Sequence, residues 1–201
     1  GDGTVHALLQ GLVDLVENRS LSEFSLGAVG LGSSNDFHKP FRQVVKGVPL
    51  TVHAGQTVPR DIGLVTFVTP EGNQEDRSFL ISASMGLTAE GNHFFNTGKG
   101  FFRWLKGQSS SLAIFYTALR TIFRYQNRMV DLSFPCPLTA DGAIDSYQVT
   151  NLSVTKTPYV SGSFRFDTPV SSADGNFAIN LTEGLSRIGM IRFLSQLGKG
   201  R

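Results

Sequence analysis

Val5, Leu8, Leu9, Leu12, Val13 and Val16 recur at the spacing of one helical face. They predict an amphipathic helix packed by that face. Asp2 or Thr4 stands where a cap belongs, and Asn18 to Ser20 supply the stop. Leu26–Leu31 follows as a short, nearly all-apolar run. A run without polar alternation predicts a strand buried on both faces, as in the parallel sheet of an α/β layer. Gly32 to Asp36 then forms the turn at its C-terminal end, where ligands bind in open α/β sheets.

After about residue 55 the period shortens. Ile62–Val68, Phe79–Ala83, Met129–Phe134, Tyr147–Val154 and Phe177–Leu181 read as short strands. Turn signals separate them, such as Pro70-Glu71-Gly72-Asn73 and Ala140-Asp141-Gly142. This texture predicts an antiparallel sandwich. Leu112, Phe115, Tyr116, Leu119, Ile122 and Phe123 share one face of an inserted helix. Leu185, Ile188, Ile191, Leu194 and Leu197 share one face of a closing helix. The expected fold class is therefore α/β plus β. Residues 1–54 would be part of an open α/β domain, and residues 55–201 an antiparallel β-sandwich-type domain with inserted and C-terminal helices.

Composition narrows the function classes. The chain has 201 residues, 40% hydrophobic and 17% charged, which is a globular balance. Sixteen Phe fit aromatic filling of a β-sheet core better than an apolar ligand cleft. A net charge of +2 excludes a strong electrostatic case for nucleic acid. Cys136, between Pro135 and Pro137, is the single cysteine, so no internal disulfide forms and a reducing compartment fits. No apolar run reaches the roughly 18 residues of a membrane span. His6, His38, His53 and His93 show no metal-ligand spacing. The chain starts inside a motif and without Met, which reads as a piece of a longer protein.

The chemistry concentrates in two glycine turns. Gly1-Asp2-Gly3-Thr4 precedes a predicted helix. Glycine lets backbone approach a phosphate, and free N–H groups at a helix start favour an anion. Asp2 repels phosphate unless it serves a metal, so Mg²⁺ binding, directly or through water, is its expected role. The alternative is a plain turn with a capping Asp. Gly32-Ser33-Ser34-Asn35-Asp36 offers hydroxyls and amides at a strand end. It is either a second nucleotide contact or an Asx- and Ser-rich turn.

GDGTVHALLQGL, LGAVGLGSSNDF, FLISASMG and PVSSADG, in that order, resemble the diacylglycerol kinase and sphingosine kinase catalytic family. The family pattern is GGDGT, GTGND-F, Asn-x-Ala-Ser-x-Gly and P-x-A-x-x-D-D-G. The resemblance implies an ATP-binding α/β domain joined to a β-sandwich lipid-binding domain, with ATP and Mg²⁺ as cofactors. It implies nucleotide contacts at Gly1, Asp2, Gly3 and Thr4 and at Gly32, Ser33, Ser34, Asn35 and Asp36, with Asp2 toward the metal. It implies Asp174 as the catalytic base for the acceptor hydroxyl. The acceptor would be a membrane lipid met at the bilayer surface, so a cytoplasmic, membrane-peripheral location is expected. Ser34 replaces a family Gly, Ile81 an Asn, Ala173 an Asp and Lys156 an Asn. A non-catalytic nucleotide- or lipid-binding module is the alternative, and an NAD kinase-like enzyme a more distant one.

Two further stretches stand out. Gly100-Phe101-Phe102-Arg103-Trp104-Leu105-Lys106 mixes large apolar and basic residues, as membrane-interface segments do, although a partly buried helix has the same texture. Arg120, Arg124 and Arg128 recur every fourth residue, which predicts a solvated basic helix side. Lys39 and Arg42 read as surface charges near the second turn.

Overall fold

The structure, a computed structural model, describes residues 1–16, 20–52, 55–133 and 144–200. Asn18, His53, Cys136 and the Ala140-Asp141-Gly142 turn lie outside the described residues. The fold combines helices with antiparallel sheets. It divides into two compact units. The first contains Gly1–Ala83, Val154–Ala178 and Leu197–Arg201, and the second Ser84–Ser153 and Ile179–Gln196. Both units are discontinuous in sequence.

In the first unit, α1 (Asp2–Leu15) buries Val5 and Leu9 and half-buries Val13. Neither Asp2 nor Thr4 is the cap, because Gly1 takes that position. β1 (Ala28–Val29), β2 (Gln43–Val45) and β3 (Val48–Thr51) form a sheet in the order β1-β3-β2. Its pairings are antiparallel, which overturns the parallel strand expected at Leu26–Leu31. The cause is local. Lys46 and Gly47 both have positive φ, at 50° and 80°, as a two-residue hairpin turn requires. That turn folds β3 back along β2, and the remaining edge of β3 meets Ala28 and Val29 in reverse. Leu26 and Ala28 pack inward, whereas Val29 and Leu31 face out. The run is therefore half-buried, not buried on both faces.

β4 (Gly63–Val68) and β5 (Gln74–Phe79) form a hairpin about the expected Pro70–Asn73 turn, with β5 on a charged segment not expected to be a strand. The Phe79 ring lies over Gly63, where an added Cβ would sit only 2.2 Å from it. Leu80 and Ile81 then leave the strand and enter the core with Val5, Leu9 and Phe37. The strand expected over Phe79–Ala83 is therefore split between the end of β5 and the start of β6 (Ser82–Gly86).

The second unit holds α2 (Leu87–Thr97), α3 (Phe101–Gln108) and α4 (Ser110–Arg124). It also holds β7 (Arg128–Ser133) and most of β8 (Ile144–Thr155). β8 lies between β6 and a later strand, and β7 pairs antiparallel with its first half. The short hairpin β9 (Tyr159–Val160) and β10 (Phe164–Arg165) returns to the first unit. β11 (Ala178–Glu183) is the third strand beside β8, and α5 (Arg187–Lys199) closes the chain. Among the described residues the strands form four small sheets.

α4 is helical as predicted but packs by a different face. Ala113, Thr117, Thr121 and Ile122 are buried. Ala113, Thr117 and Thr121 recur every fourth residue, and small side chains let a neighbouring helix approach. Leu112, Phe115 and Phe123 are more than half exposed. The apolar stripe of this helix is thus mostly on the surface.

Buried polar groups fix the start of α2. Asn151 is fully buried, and its Oδ1 accepts from the Thr88 amide at 2.9 Å and the Thr88 hydroxyl at 2.7 Å. Gly86, with φ at 93°, brings the chain so close to β8 that an added Cβ would lie 2.5 Å from the Thr150 carbonyl oxygen. Gly86→Ala is expected to lower stability by at least roughly 1–3 kcal/mol, the cost of that backbone conformation alone. Gly107→Ala, in open space on α3, should instead be neutral or stabilise by about 0.5–1 kcal/mol. Denaturant midpoints of the two variants check both signs.

Candidate functional site

The two glycine turns of the sequence meet in the first unit. Gly1 and Gly32 touch through their backbones. A Cβ on Gly1 would lie 2.8 Å from Gly32 Cα, and one on Gly32 would lie 2.7 Å from Gly1 Cα. Each glycine is therefore required by the other. Above that contact, the Asp2 carboxylate bridges the turns. Its Oδ2 accepts from the Asp36 amide and its Oδ1 from the Phe37 amide, each at 2.9 Å.

Asn35 sets the shape of the second turn. It adopts a left-handed conformation, φ 54°, which asparagine tolerates better than most residues. Its Oδ1 accepts from the Gly32 amide at 3.0 Å, while its Nδ2 donates to the Gly30 and Gly32 carbonyls. Asp36 is buried. It pairs with the Lys39 ammonium at 2.7 Å and accepts from the Gly162 amide at 3.0 Å, in the turn between β9 and β10. Lys39 also donates to the Gly162 carbonyl, so it is not the free surface charge expected.

These contacts change what the predicted phosphate donors can do. The amides of Gly32, Asp36 and Phe37 already have acceptors. Gly3 and Thr4 are exposed, and an added Cβ on Gly3 would meet nothing within 4 Å. Ser33 is exposed and Ser34 half-buried. The hydroxyls of Thr4, Ser33 and Ser34 are the side-chain donors that these turns offer a phosphate. Asp2 keeps one acceptor site on each oxygen beyond its amide bond. One carboxylate plus phosphate oxygens and waters is a set that Mg²⁺ accepts. Among the described residues no group of three acids, histidines or cysteines could hold a metal without such help.

Asp2 therefore has a structural task as well as the metal role expected of it. Asp2→Asn turns one acceptor into a donor facing an amide. It is expected to cost about 1.5–3 kcal/mol of stability, the usual worth of hydrogen bonds to a charged group. Thermal melts of Asp2→Asn and Asp2→Ala measure this.

Asp174 stands in a second cluster of the same unit. The Lys156 ammonium, 1% exposed, donates to Asp61 Oδ2 at 2.7 Å, Asp174 Oδ1 at 3.0 Å and the Asn176 carbonyl at 2.5 Å. The amide of Gly175 adds a bond to Asp61 Oδ2 at 2.7 Å, and that of Asn176 one to Asp174 at 3.1 Å. Burial opposes the charge on Lys156, but hydrogen bonds to Asp61 and Asp174 outweigh it and raise its pKa. The Lys156 ammonium and then the Gly175 amide lower the pKa of Asp61. The Asn176 amide and then Lys156 do the same for Asp174. Asp174 is thus an ionised, partly exposed carboxylate already matched to a cation.

Sequence reasoning found Asp174 and missed Asp61. It saw Lys156 only as a departure from a family pattern. Asp61 and Lys156 are 95 positions apart, and no local spacing links them. Ile81, another departure, packs against the core and accepts the Lys156 amide on its carbonyl at 2.8 Å.

Lys156→Met should destabilise the first unit, and adding Asp61→Asn to it should recover part of the loss, because one orphaned charge is then removed. The pH dependence has two signs. The lowered carboxyl pKa values stabilise fully above about pH 4, and this support is lost as pH falls through and below it. The raised lysine pKa stabilises fully below about pH 10.4, and its support is lost above that. A double-mutant cycle by denaturant titration at neutral pH and at pH 3 should show the coupling shrink in acid.

No protein-family model matches the chain, and no curated protein matches it.

Proposed function

We propose that the chain belongs to an ATP-dependent lipid kinase that phosphorylates a lipid hydroxyl, of diacylglycerol, a sphingoid base or a related alcohol. The observation that carries this reading is the interlock of the two glycine turns. GDGT and GSSNDF are some thirty residues apart, yet Asp2 holds the Asp36 and Phe37 amides and Gly1 abuts Gly32. A nucleotide phosphate would meet the start of α1 with Gly3, Thr4, Ser33 and Ser34, and Asp2 would hold Mg²⁺. The metal, when bound, supplies positive charge beside the transferred phosphoryl. Asp174 would accept the proton of the lipid hydroxyl. The finer architecture proposed is a nucleotide-binding α/β portion with a lipid-binding β portion.

The helices α3 and α4 support a bilayer surface as the place of action. Phe101 is 63% exposed, Trp104 60% and Phe115 63%, and the rings of Phe101 and Trp104 lie 5.6 Å apart. Arg103 is exposed on the same helix. Aromatic side chains beside cations suit the headgroup level of a membrane. No described helix is long and apolar enough to cross one. The location proposed is cytoplasmic and peripheral.

One observation favours the non-catalytic alternative, a nucleotide- or lipid-binding module. Asp174 is neutralised by Lys156, and the second-turn amides are engaged within the protein.

Transfer of labelled phosphate from ATP to diacylglycerol and to sphingosine in mixed micelles separates the two readings. The kinase reading expects transfer to one of them, abolished by Asp174→Asn with ATP binding nearly unchanged. Asp61→Asn, which loosens the same lysine, should keep most of the transfer. ATP binding without transfer favours the module, and neither binding nor transfer overturns both. Phe101→Ser with Trp104→Ser should reduce co-sedimentation with anionic vesicles. Phe102 is left in place because it is buried.

A further inference from the structure

The second unit contains a cavity of about 640 Å³, bounded by α2, the end of α4 and Tyr125–Arg128. That is the size of a small-molecule site. Arg120, Arg124 and Arg128 all line it, with His93, Thr121 and a single acid, Glu90. Arg120 is half-buried, Arg124 and Arg128 are exposed, and Arg128 lies beyond the helix. α4 ends at Arg124, Tyr125 turns extended, and Arg128 opens β7. The bend in the chain is what brings the three arginines to the wall of one cavity.

Their charges are poorly matched by the protein. Arg128 has only a loose, exposed pair with Glu90 at 3.9 Å, which is worth little. Arg120 and Arg124 have no carboxylate partner among the described residues. The Arg120 guanidinium rests 3.8 Å from the centroid of the Phe94 ring, which holds it in place while leaving its edge donors available. Thr121, only 6% exposed, belongs to the packed face of α4, and its hydroxyl is closed off on the side of Gly91. The other polar walls are engaged. The Tyr125 hydroxyl donates to the Val149 carbonyl, and both ends of the Asn127 amide are bonded, to Thr150 and to the Leu185 carbonyl. They form a fixed floor.

We propose that this cavity binds a phosphomonoester. Three arginines and a single acid in the cavity wall call for a ligand with more than one negative charge, and a phosphate dianion matches guanidinium forks in pairs of hydrogen bonds. The shared chemistry is the phosphate, whether it is carried on a lipid headgroup or on a small soluble molecule. The proposal does not rest on the kinase reading.

The full chain is titrated by calorimetry with inorganic phosphate and with glycerol 3-phosphate. It is then co-sedimented with phosphatidylcholine vesicles that contain or lack phosphatidic acid. Arg124→Gln removes a guanidinium that no carboxylate of the described protein pairs with, so the fold should tolerate it, as a melt verifies. Arg192→Gln, exposed on α5 and outside the cavity, is the control. Saturable binding of a soluble phosphomonoester, weakened about tenfold by Arg124→Gln and unchanged by Arg192→Gln, supports the proposal. The same variant pattern seen only with phosphatidic acid vesicles supports it with a lipid headgroup as the source. Binding equally affected by both variants, or no binding of any probe, overturns it.

Discussion

The Asp2 carboxylate is the constraint on which the glycine-turn region depends. It joins the first turn of α1 to two consecutive amides of a segment more than thirty residues away. Those amides open the short 3₁₀ turn Asp36–His38, which buries Phe37 in the same core as Val5 and Leu9 of α1. One acid thus sets both the polar edge and the apolar floor of the region. Asp36 continues the chain of contacts by holding the Gly162 amide of the β9–β10 turn and the Lys39 ammonium. Three segments distant in sequence converge through two successive carboxylates. A mixed fold with small sheets relies on such links, because short strands contribute few ladder bonds of their own.

Much of the local structure was legible in the chain. The α1 and α4 helices follow from their apolar spacing, and the turn of the β4–β5 hairpin follows from Pro70–Asn73. What periodicity does not specify is the partner. Leu112, Phe115 and Phe123 mark a face of α4, but the packed face is the small one of Ala113, Thr117 and Thr121. Leu26–Leu31 looks like a strand sealed on both sides, yet a hairpin turn twenty residues later decides its pairing and direction. Polarity misleads in β8 and just beyond it, where Thr150, Asn151, Ser153, Thr155 and Lys156 are buried. Each is acceptable there because hydrogen bonds compensate its burial; Ser153 accepts from Asn151 on the same strand, and the others have partners from elsewhere in the chain.

The candidate site was half legible. The motifs GDGT and GSSND marked both turns, and the left-handed Asn35 and the Gly1–Gly32 contact explain why those residue types stand there. The motifs did not reveal that Asp2 would be bound to the second turn. Nor did they show that Asp174 would share a lysine with Asp61. Such pairings arise from long-range closure, which leaves no mark in a short window of sequence.

Lys156 has a consequence for how this region responds to its surroundings. Its ammonium fills the space among two carboxylates and a carbonyl, a set of oxygens that would otherwise attract an ion from solution. Because this cation is part of the polypeptide, it cannot be stripped by a chelator, exchanged for a competing ion or diluted away. The junction between residue 61 and residues 174–176 is therefore indifferent to ion supply.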